Sequence, residues 1–203
     1  FRSDAIGEWD TVSIWRANHY GLTKVWNMRY PDSIGLFYTA FTQYLGLKPN
    51  EEEYILMDMS ALGKPTIVEK LKEEFFDEFS APFIKLKHNL HRGCRWWEAP
   101  EGVSKYDIAA SVQAITEEYL LETARYIKRT VNSDNLVFMG GCALNSKANK
   151  KVSNRWKYCW SLPNPGDPSS SIGAVLYHTK TRLWDVDLGN VGHLMPLRLA
   201  KPA

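Results

Sequence analysis

A pair of adjacent glycines, placed between a short apolar run and a helix-like segment, constrains this chain more than any other feature. Residues 136–139 are Leu, Val, Phe and Met, which is the length and character of a buried strand. Gly140 and Gly141 end this run, and residues 143–150 then have the pattern of a helix. Residues without Cβ let a ligand approach the backbone, and a helix start offers free N–H groups to an anion. The pattern predicts either a site for a flat or anionic ligand or a glycine turn that only packs well.

A second strand, loop and helix follow at residues 158–178. The loop carries Asp167, then Pro168 and three serines. Pro168 suits the first turn of a helix and Asp167 suits its N-cap, which is a common and purely structural role. Gly173 is expected at a close contact, and the apolar residues of this helix are expected to be buried: Ile172, Ala174, Val175 and Leu176.

The earlier part of the chain divides into short elements. Alternating residues predict paired strands at 11–15 and 22–26, after a turn-like segment at 1–9 that contains Asp4 and Gly7. A further strand is expected within residues 82–90. The predicted helices are one that starts at Pro31-Asp32-Ser33 and ends at Gly46, one at 50–59 with Asn50 as its N-cap, a charged amphipathic one at 65–79, and a long one from Ser104 to Val131.

Composition bounds the class of protein. The 203 residues, of which 44% are hydrophobic, are typical of one globular domain. A net charge of +2 implies no strongly charged partner such as a nucleic acid, and no run approaches the ~20 apolar residues of a membrane span. Cys94, Cys142 and Cys159 lack the spacing of a metal site, so free thiols in a cytoplasmic protein are expected.

Five stretches, in the same order along the chain, resemble signatures of the O-carbamoyltransferases of nodulation-factor and antibiotic biosynthesis. Met139-Gly-Gly-Cys-Ala-Leu-Asn145 is one, and the segment from Pro163 to Ala174 that contains Asp167 is another. The remaining matches are at residues 3–9 with 11–14, 31–46, and 48–57 with 63–65. Together the five cover roughly residues 1–178, so they are far more specific than one glycine pair.

The resemblance implies an α/β fold, namely an actin/sugar-kinase-like (ribonuclease-H-like) lobe with a mixed sheet flanked by helices. Residues 1–185 would be the second lobe of the family's amino-terminal domain, and residues 186–203 a tail or the start of a linker. Family members also have a first lobe with a His-x-x-x-His metal motif, and a carboxy-terminal domain that makes carbamoyl-adenylate from ATP and carbamoyl phosphate. This segment alone is therefore expected to be inactive.

The resemblance also implies particular site residues, although it assigns no catalytic one. Asn145 is expected one turn into its helix, where it would hydrogen-bond ribose or phosphate. For Asp4 an exposed turn aspartate, and for Glu53 a helix-capping role, remain the structural alternatives. The implied metal ligands are Asp4 and Asp167, for Fe²⁺ or Mg²⁺, and the implied nucleotide-binding residues are Gly7, Glu53, Gly140, Gly141, Asn145 and Ser170.

The implied function is transfer of a carbamoyl group from carbamoyl-adenylate to a hydroxyl of a small molecule, with ATP and carbamoyl phosphate as the other reactants. Three positions depart from the family pattern: Ile55 stands for Lys, Asp58 for Gly and Leu62 for Tyr. These departures motivate the alternative of a non-catalytic nucleotide-binding or assembly module. A cleft left open by the other lobe would favour a homo-oligomer.

Overall fold

The computed structural model describes residues 1–162 and 164–180, so the expected tail at 186–203 and the boundary before it lie outside the described residues. The strands are β1 (Arg2–Gly7), β2 (Asp10–Asn18), β3 (Gly21–Arg29), β4 (Phe76–Ser80), β5 (Phe83–Leu86), β6 (Asn135–Val137) and β7 (Tyr158–Trp160). The α-helices are α1 (Ile34–Tyr44), α2 (Glu53–Met59), α3 (Val68–Phe75), α4 (Lys105–Val131), α5 (Ser146–Ser153) and α6 (Asp167–Thr179).

Strand β1 joins an antiparallel half and a parallel half of the main sheet. β1, β2 and β3 pair antiparallel in that order, and β6 pairs parallel with β7. A parallel bridge between Arg2 and Met139 links the halves, with bonds from the Ser3 N–H to the Met139 carbonyl (3.0 Å) and from the Met139 N–H to the Phe1 carbonyl (2.9 Å). The strand order is therefore β3-β2-β1-β6-β7. This mixed sheet with flanking helices confirms the predicted α/β class, and β4 and β5 form a separate hairpin.

The start of α1 is fixed against β1. The Ser33 hydroxyl accepts a hydrogen bond from the Leu36 N–H (3.1 Å), as an N-cap should, and donates to the Ala5 carbonyl (2.8 Å). A Cβ on Gly35 would lie 2.6 Å from the Ala5 backbone nitrogen, so the helix approaches the strand as closely as a glycine permits. This contact places the end of β1 beside the first turn of α1.

The core between α1, α3 and the 88–97 loop is aromatic. Phe41 is fully buried, and its ring centroid lies 5.0 Å from that of Phe75 and 5.3 Å from that of Trp97. Phe37 packs on the same group, with its ring 5.1 Å from that of Phe41. The aromatic stripe of α1 is thus a core feature. Among the described residues, no helix combines the length and hydropathy of a membrane span.

Three predicted local features are wrong. Residues 2–7 form a strand, not a turn, because their pairing partners include the distant Met139. The helix predicted at 65–79 ends at Phe75, because Phe76 begins β4 and pairs with Leu86. Asn50 is not the N-cap of α2: it has a positive φ of 66°, and Glu52 holds the cap position.

Helix α6 also differs from its prediction. Its N-cap is Gly166, and Asp167 is instead the first helical residue. Val175 is 55% exposed, Ala174 is exposed and Gly173 has no neighbouring atom within 4 Å of an added Cβ, whereas Ile172 and Leu176 are half-buried. In the described part of the chain, the helix packs mainly through its first turn, where Ser169 is buried. The expected buried apolar face is therefore largely solvent-facing.

Candidate functional site

A cavity of about 500 Å³ lies where β1, α1, α2, the turn after β6 and the start of α6 meet. It is lined by five of the predicted site residues: Asp4, Glu53, Gly141, Asn145 and Asp167. A smaller cavity of about 150 Å³ shares Asp4 and Asp167 and is also lined by Gly140, Ser170 and Arg2. Gly7 lines neither cavity. The space beside it is filled by the Arg2 guanidinium and the Asp10 carbonyl, which an added Cβ would meet.

Asp4 connects β1 with the diglycine turn. Its carboxylate accepts hydrogen bonds from the backbone N–H groups of Gly141 (3.2 Å) and Ala5 (3.2 Å), and it pairs with the Arg2 guanidinium at 3.4 Å. Only 13% of the Asp4 side chain is exposed. The alternative of an exposed turn aspartate is therefore wrong, because Asp4 lies on a strand at the wall of both cavities.

The two glycines of the turn have different surroundings. Gly140 has φ of 96°, and a Cβ there would lie 2.2 Å from the Ser3 carbonyl oxygen, so the contact with β1 requires glycine. At Gly141 an added Cβ would instead lie 2.9 Å from the Asp4 carboxylate. The next residues form a short 3₁₀ helix, Gly141–Leu144, rather than the start of one continuous α-helix.

Asn145 is the N-cap of α5, not a residue one turn into a helix. Its Oδ1 accepts hydrogen bonds from the Ala148 N–H (3.0 Å) and from Gln113 Nε2 (2.9 Å). Its Nδ2 donates to Gln113 Oε1 (2.9 Å). The two side-chain amides thus form a paired contact between α4 and the start of α5.

Sequence reasoning missed the polar network behind Asn145. The Tyr38 hydroxyl donates to Gln113 Oε1 (2.8 Å), and Gln113 Nε2 also donates to Glu117 (2.8 Å), whose other oxygen accepts from Lys151. Tyr38, Gln113 and Glu117 are 7%, 2% and 9% exposed. Burial, assisted by the Glu117 carboxylate, raises the pKa of Tyr38, so the phenol stays protonated. The available signal was the i, i+4 spacing of Gln113 and Glu117 on an otherwise apolar part of α4.

Glu53 closes a turn and also lines the larger cavity. Its Oε1 accepts from the Thr39 hydroxyl (3.0 Å) and from the Asn50 N–H (2.7 Å). Glu53 thus closes the turn before α2 and does not cap a helical N–H, since no side chain caps the start of α2. Glu53 also lies on the cavity wall, and its role in nucleotide binding stays a prediction.

Asp4 and Asp167 line both cavities, and each carries a carboxylate whose oxygens could bind a metal ion. Among residues 1–162 and 164–180, no group of three His, Cys, Asp or Glu side chains is arranged to hold a metal ion. Two carboxylates fit Mg²⁺, which takes its remaining ligands from phosphate and water. They do not by themselves make a site that prefers iron, for which imidazole ligands are typical.

The three positions that depart from the family pattern lie outside both cavities. Ile55 is half-buried, Asp58 is exposed and Leu62 is 73% exposed. The departures therefore do not alter the walls of the candidate site.

All three cysteines are free. Cys142 lines the larger cavity, and burial raises the pKa of its thiol to about 12.

Comparison with known proteins gives one family and several uncharacterised relatives. An uncharacterised protein of Synechocystis sp. is 33% identical over 193 residues, which cover 85% of this chain and 31% of the relative. Two uncharacterised proteins of Methanocaldococcus jannaschii are 26% and 27% identical and are covered to 32% and 30% of their length. The chain thus spans about a third of the length of these relatives.

The family comparison agrees with the five motifs. Residues 1–176 match the family described as the carbamoyltransferase N-terminus, which includes β1, the diglycine turn and most of α6. The match runs through every residue that lines the two cavities. This confirms the resemblance, and the chain belongs to the carbamoyltransferase family, to whose amino-terminal part it corresponds.

Proposed function

We propose that this chain forms part of an ATP-dependent O-carbamoyltransferase, which moves a carbamoyl group from carbamoyl-adenylate to a hydroxyl of a small molecule. The observation that carries the proposal is the larger cavity, because it collects Asp4, Gly141, Asn145 and Asp167 from distant parts of the sequence. Its volume of about 500 Å³ lies in the usual range for small-molecule sites, roughly 300–1,000 Å³.

The finer fold that we propose is a ribonuclease-H-like lobe of the actin and sugar-kinase type. The strand order β3-β2-β1-β6-β7 supports it, with an antiparallel first half and a parallel second half. In such a sheet the loops after β6 and β7 approach each other at the carboxyl ends of parallel strands, where α/β proteins bind ligands. Here those loops carry Gly141 and Asp167.

The cavity offers separate surroundings for the parts of a nucleotide. Tyr54, Met57 and Leu144 provide apolar surface that suits a base. The Gly141 backbone contacts Asp4, and Asn145 lines the same cavity, so ribose or phosphate would bind at these polar groups. Asp4 and Asp167 would hold Mg²⁺ beside the phosphates, and the bound metal would neutralise part of the phosphate charge.

The proposed reaction has a simple balance. The acceptor hydroxyl oxygen forms a bond to the carbamoyl carbon, the bond between that carbon and the phosphate oxygen breaks, AMP leaves and the hydroxyl proton is lost. The described residues contribute binding and orientation, which alone lower the barrier substantially when the reacting atoms are held in line. We expect no turnover by the 203-residue chain, and detectable carbamoyl transfer by it would refute that expectation.

The test is a calorimetric titration of ATP with Mg²⁺ into the chain, compared with Asn145→Ala. Ser104→Ala is the matched control, since it removes the N-cap of α4 and Ser104 lines neither cavity. Binding by the wild type and the control, together with loss in Asn145→Ala, supports the site. If neither the chain nor a longer protein that contains it binds ATP, the proposal is wrong.

The non-catalytic module remains the second candidate because of Ile55, Asp58 and Leu62. Their position outside both cavities favours the enzyme. A longer protein that contains the chain, supplied with ATP, carbamoyl phosphate and a panel of hydroxyl compounds, separates the two. Acceptor-dependent release of AMP supports the transferase, whereas ATP binding without AMP release supports the module.

A further inference from the structure

We propose that Gln113 is a positioning residue, which turns the Asn145 amide so that it offers the cavity a hydrogen-bond donor and no acceptor. The inference rests on the proposed function, because the ligand that meets this donor is the proposed nucleotide. It assigns a specificity role to a residue that lines neither cavity itself.

The orientation of Asn145 is set first from α5. The Ala148 N–H can only donate, so the atom 3.0 Å from it must be the Asn145 oxygen. The oxygen also accepts from Gln113 Nε2 at 2.9 Å, and the Asn145 nitrogen donates to Gln113 Oε1 at 2.9 Å. A reversed Asn145 amide would place its own NH₂ group against the Ala148 N–H, and two donors cannot form a hydrogen bond.

The orientation of Gln113 is set independently from the other side. The Glu117 carboxylate, whose other oxygen accepts from Lys151 Nζ, accepts hydrogen bonds and does not donate them. The Gln113 nitrogen must therefore face Glu117, which leaves the Gln113 oxygen for the Tyr38 hydroxyl at 2.8 Å and the Asn145 nitrogen. Because Gln113 is 2% exposed, water does not offer an alternative partner.

The two constraints agree, and together they define what Asn145 can bind. Both acceptor directions of its oxygen are taken, by Ala148 and Gln113. One of the two hydrogens on its nitrogen is used by Gln113, so a single N–H remains for the cavity that Asn145 lines. The ligand group at this point must therefore be a hydrogen-bond acceptor, such as a phosphoryl or ribose oxygen, and a group that can only donate is rejected.

A double-mutant cycle with ATP as the probe tests the coupling. Gln113→Met keeps the side-chain length and removes its polar atoms; it should weaken ATP binding about tenfold or more, as one lost hydrogen bond to a charged acceptor does. Asn145→Ala should weaken binding similarly, and the double variant should lose little more than either single variant. Gln43→Met, at a glutamine outside both cavities, is the matched control and should bind normally.

A measurement on the unmutated chain decides the orientation even if a variant unfolds. Hydrogen exchange of side-chain amides by NMR should show protected protons on Gln113 and Asn145, with exposed Asn18 as the reference. Added ATP should shift the Asn145 amide. Exchange of both amides as fast as Asn18, or full ATP affinity in folded Gln113→Met, overturns the inference. Protected amides, with no ATP binding by the chain or by a longer protein that contains it, would support the positioning by Gln113 and instead refute the proposed function.

Discussion

Gly140 offers the sharpest test of how the sheet and the site depend on each other. Replacement by alanine places a Cβ 2.2 Å from the Ser3 carbonyl oxygen and 2.8 Å from the Ser3 carbonyl carbon. Both are backbone atoms, so no side chain can rotate away to relieve the contact. The φ of 96° adds strain for any residue with a Cβ.

The expected cost is large for one methyl group. The positive φ costs about 1–2 kcal/mol. Separation of β1 from the diglycine turn also weakens the bonds between Ser3 and Met139 and between Met139 and Phe1, each worth about 1 kcal/mol. Gly140→Ala should therefore lower the free energy of unfolding by about 3–4 kcal/mol, a large part of the roughly 5–15 kcal/mol of a typical domain.

Urea unfolding followed by tryptophan fluorescence measures this loss, since the chain has eight tryptophans. Gly102→Ala is the matched control, because Gly102 has φ of 79° and no atom within 4 Å of an added Cβ. It should cost only the backbone part, about 1–2 kcal/mol. Equal losses of stability in the two variants would show that β1 does not pack tightly against Gly140, and the argument for a close contact between β1 and the diglycine turn would fail.

Three further perturbations follow from the structure. Phe41→Ala should cost about 3–5 kcal/mol in the same assay, because it leaves a cavity within the aromatic core; a loss below about 1 kcal/mol would contradict that packing. Gly173→Ala should raise stability by about 0.5–1 kcal/mol, since the position is helical and open; a destabilised variant would mean that α6 is covered there. The hydrogen bond from Lys24 holds the pKa of Asp10 below its ordinary value of 3.8, so the ionised Asp10 stabilises the fold above that pH and this stabilisation is lost as the pH falls. Asp10→Asn should therefore flatten the decline of stability below about pH 4, and an unchanged stability profile would refute the pairing.

Elements whose partners are close in sequence were predictable. The β2–β3 hairpin follows from alternation, and its strands pair from Asn18 with Gly21 outward. The start of α4 follows from a capping pair, since the Asp107 N–H donates to the Ser104 hydroxyl at 3.1 Å. In both cases the residues that decide the structure lie within a few positions of each other.

Elements whose pairing partners are distant in sequence were not predictable. Nothing local in residues 1–9 indicates that Ser3 pairs with Met139. Phe79 keeps the helical spacing of Phe75, yet it lies on β4, because pairing with β5 overrides the local helical pattern. The helical period alone could not detect this competition.

The site shows the same division. The motifs identified Asp4, Gly141, Asn145 and Asp167, and the structure brings all four to one cavity. Gln113 and Glu117 escaped notice, because polar side chains on a long helix usually face solvent. Only the packing of α5 over α4 shows that they are buried and paired.

The contact between Asp4 and Gly141 spans 137 positions of the sequence. Closing so long a loop is entropically costly, so we expect this contact to form late in folding, after the helices have assembled. A ligand bound across it would then stabilise the native state but not the transition state. Nucleotide should therefore slow the unfolding rate and leave the refolding rate nearly unchanged, so bound protein would gain lifetime rather than fold faster.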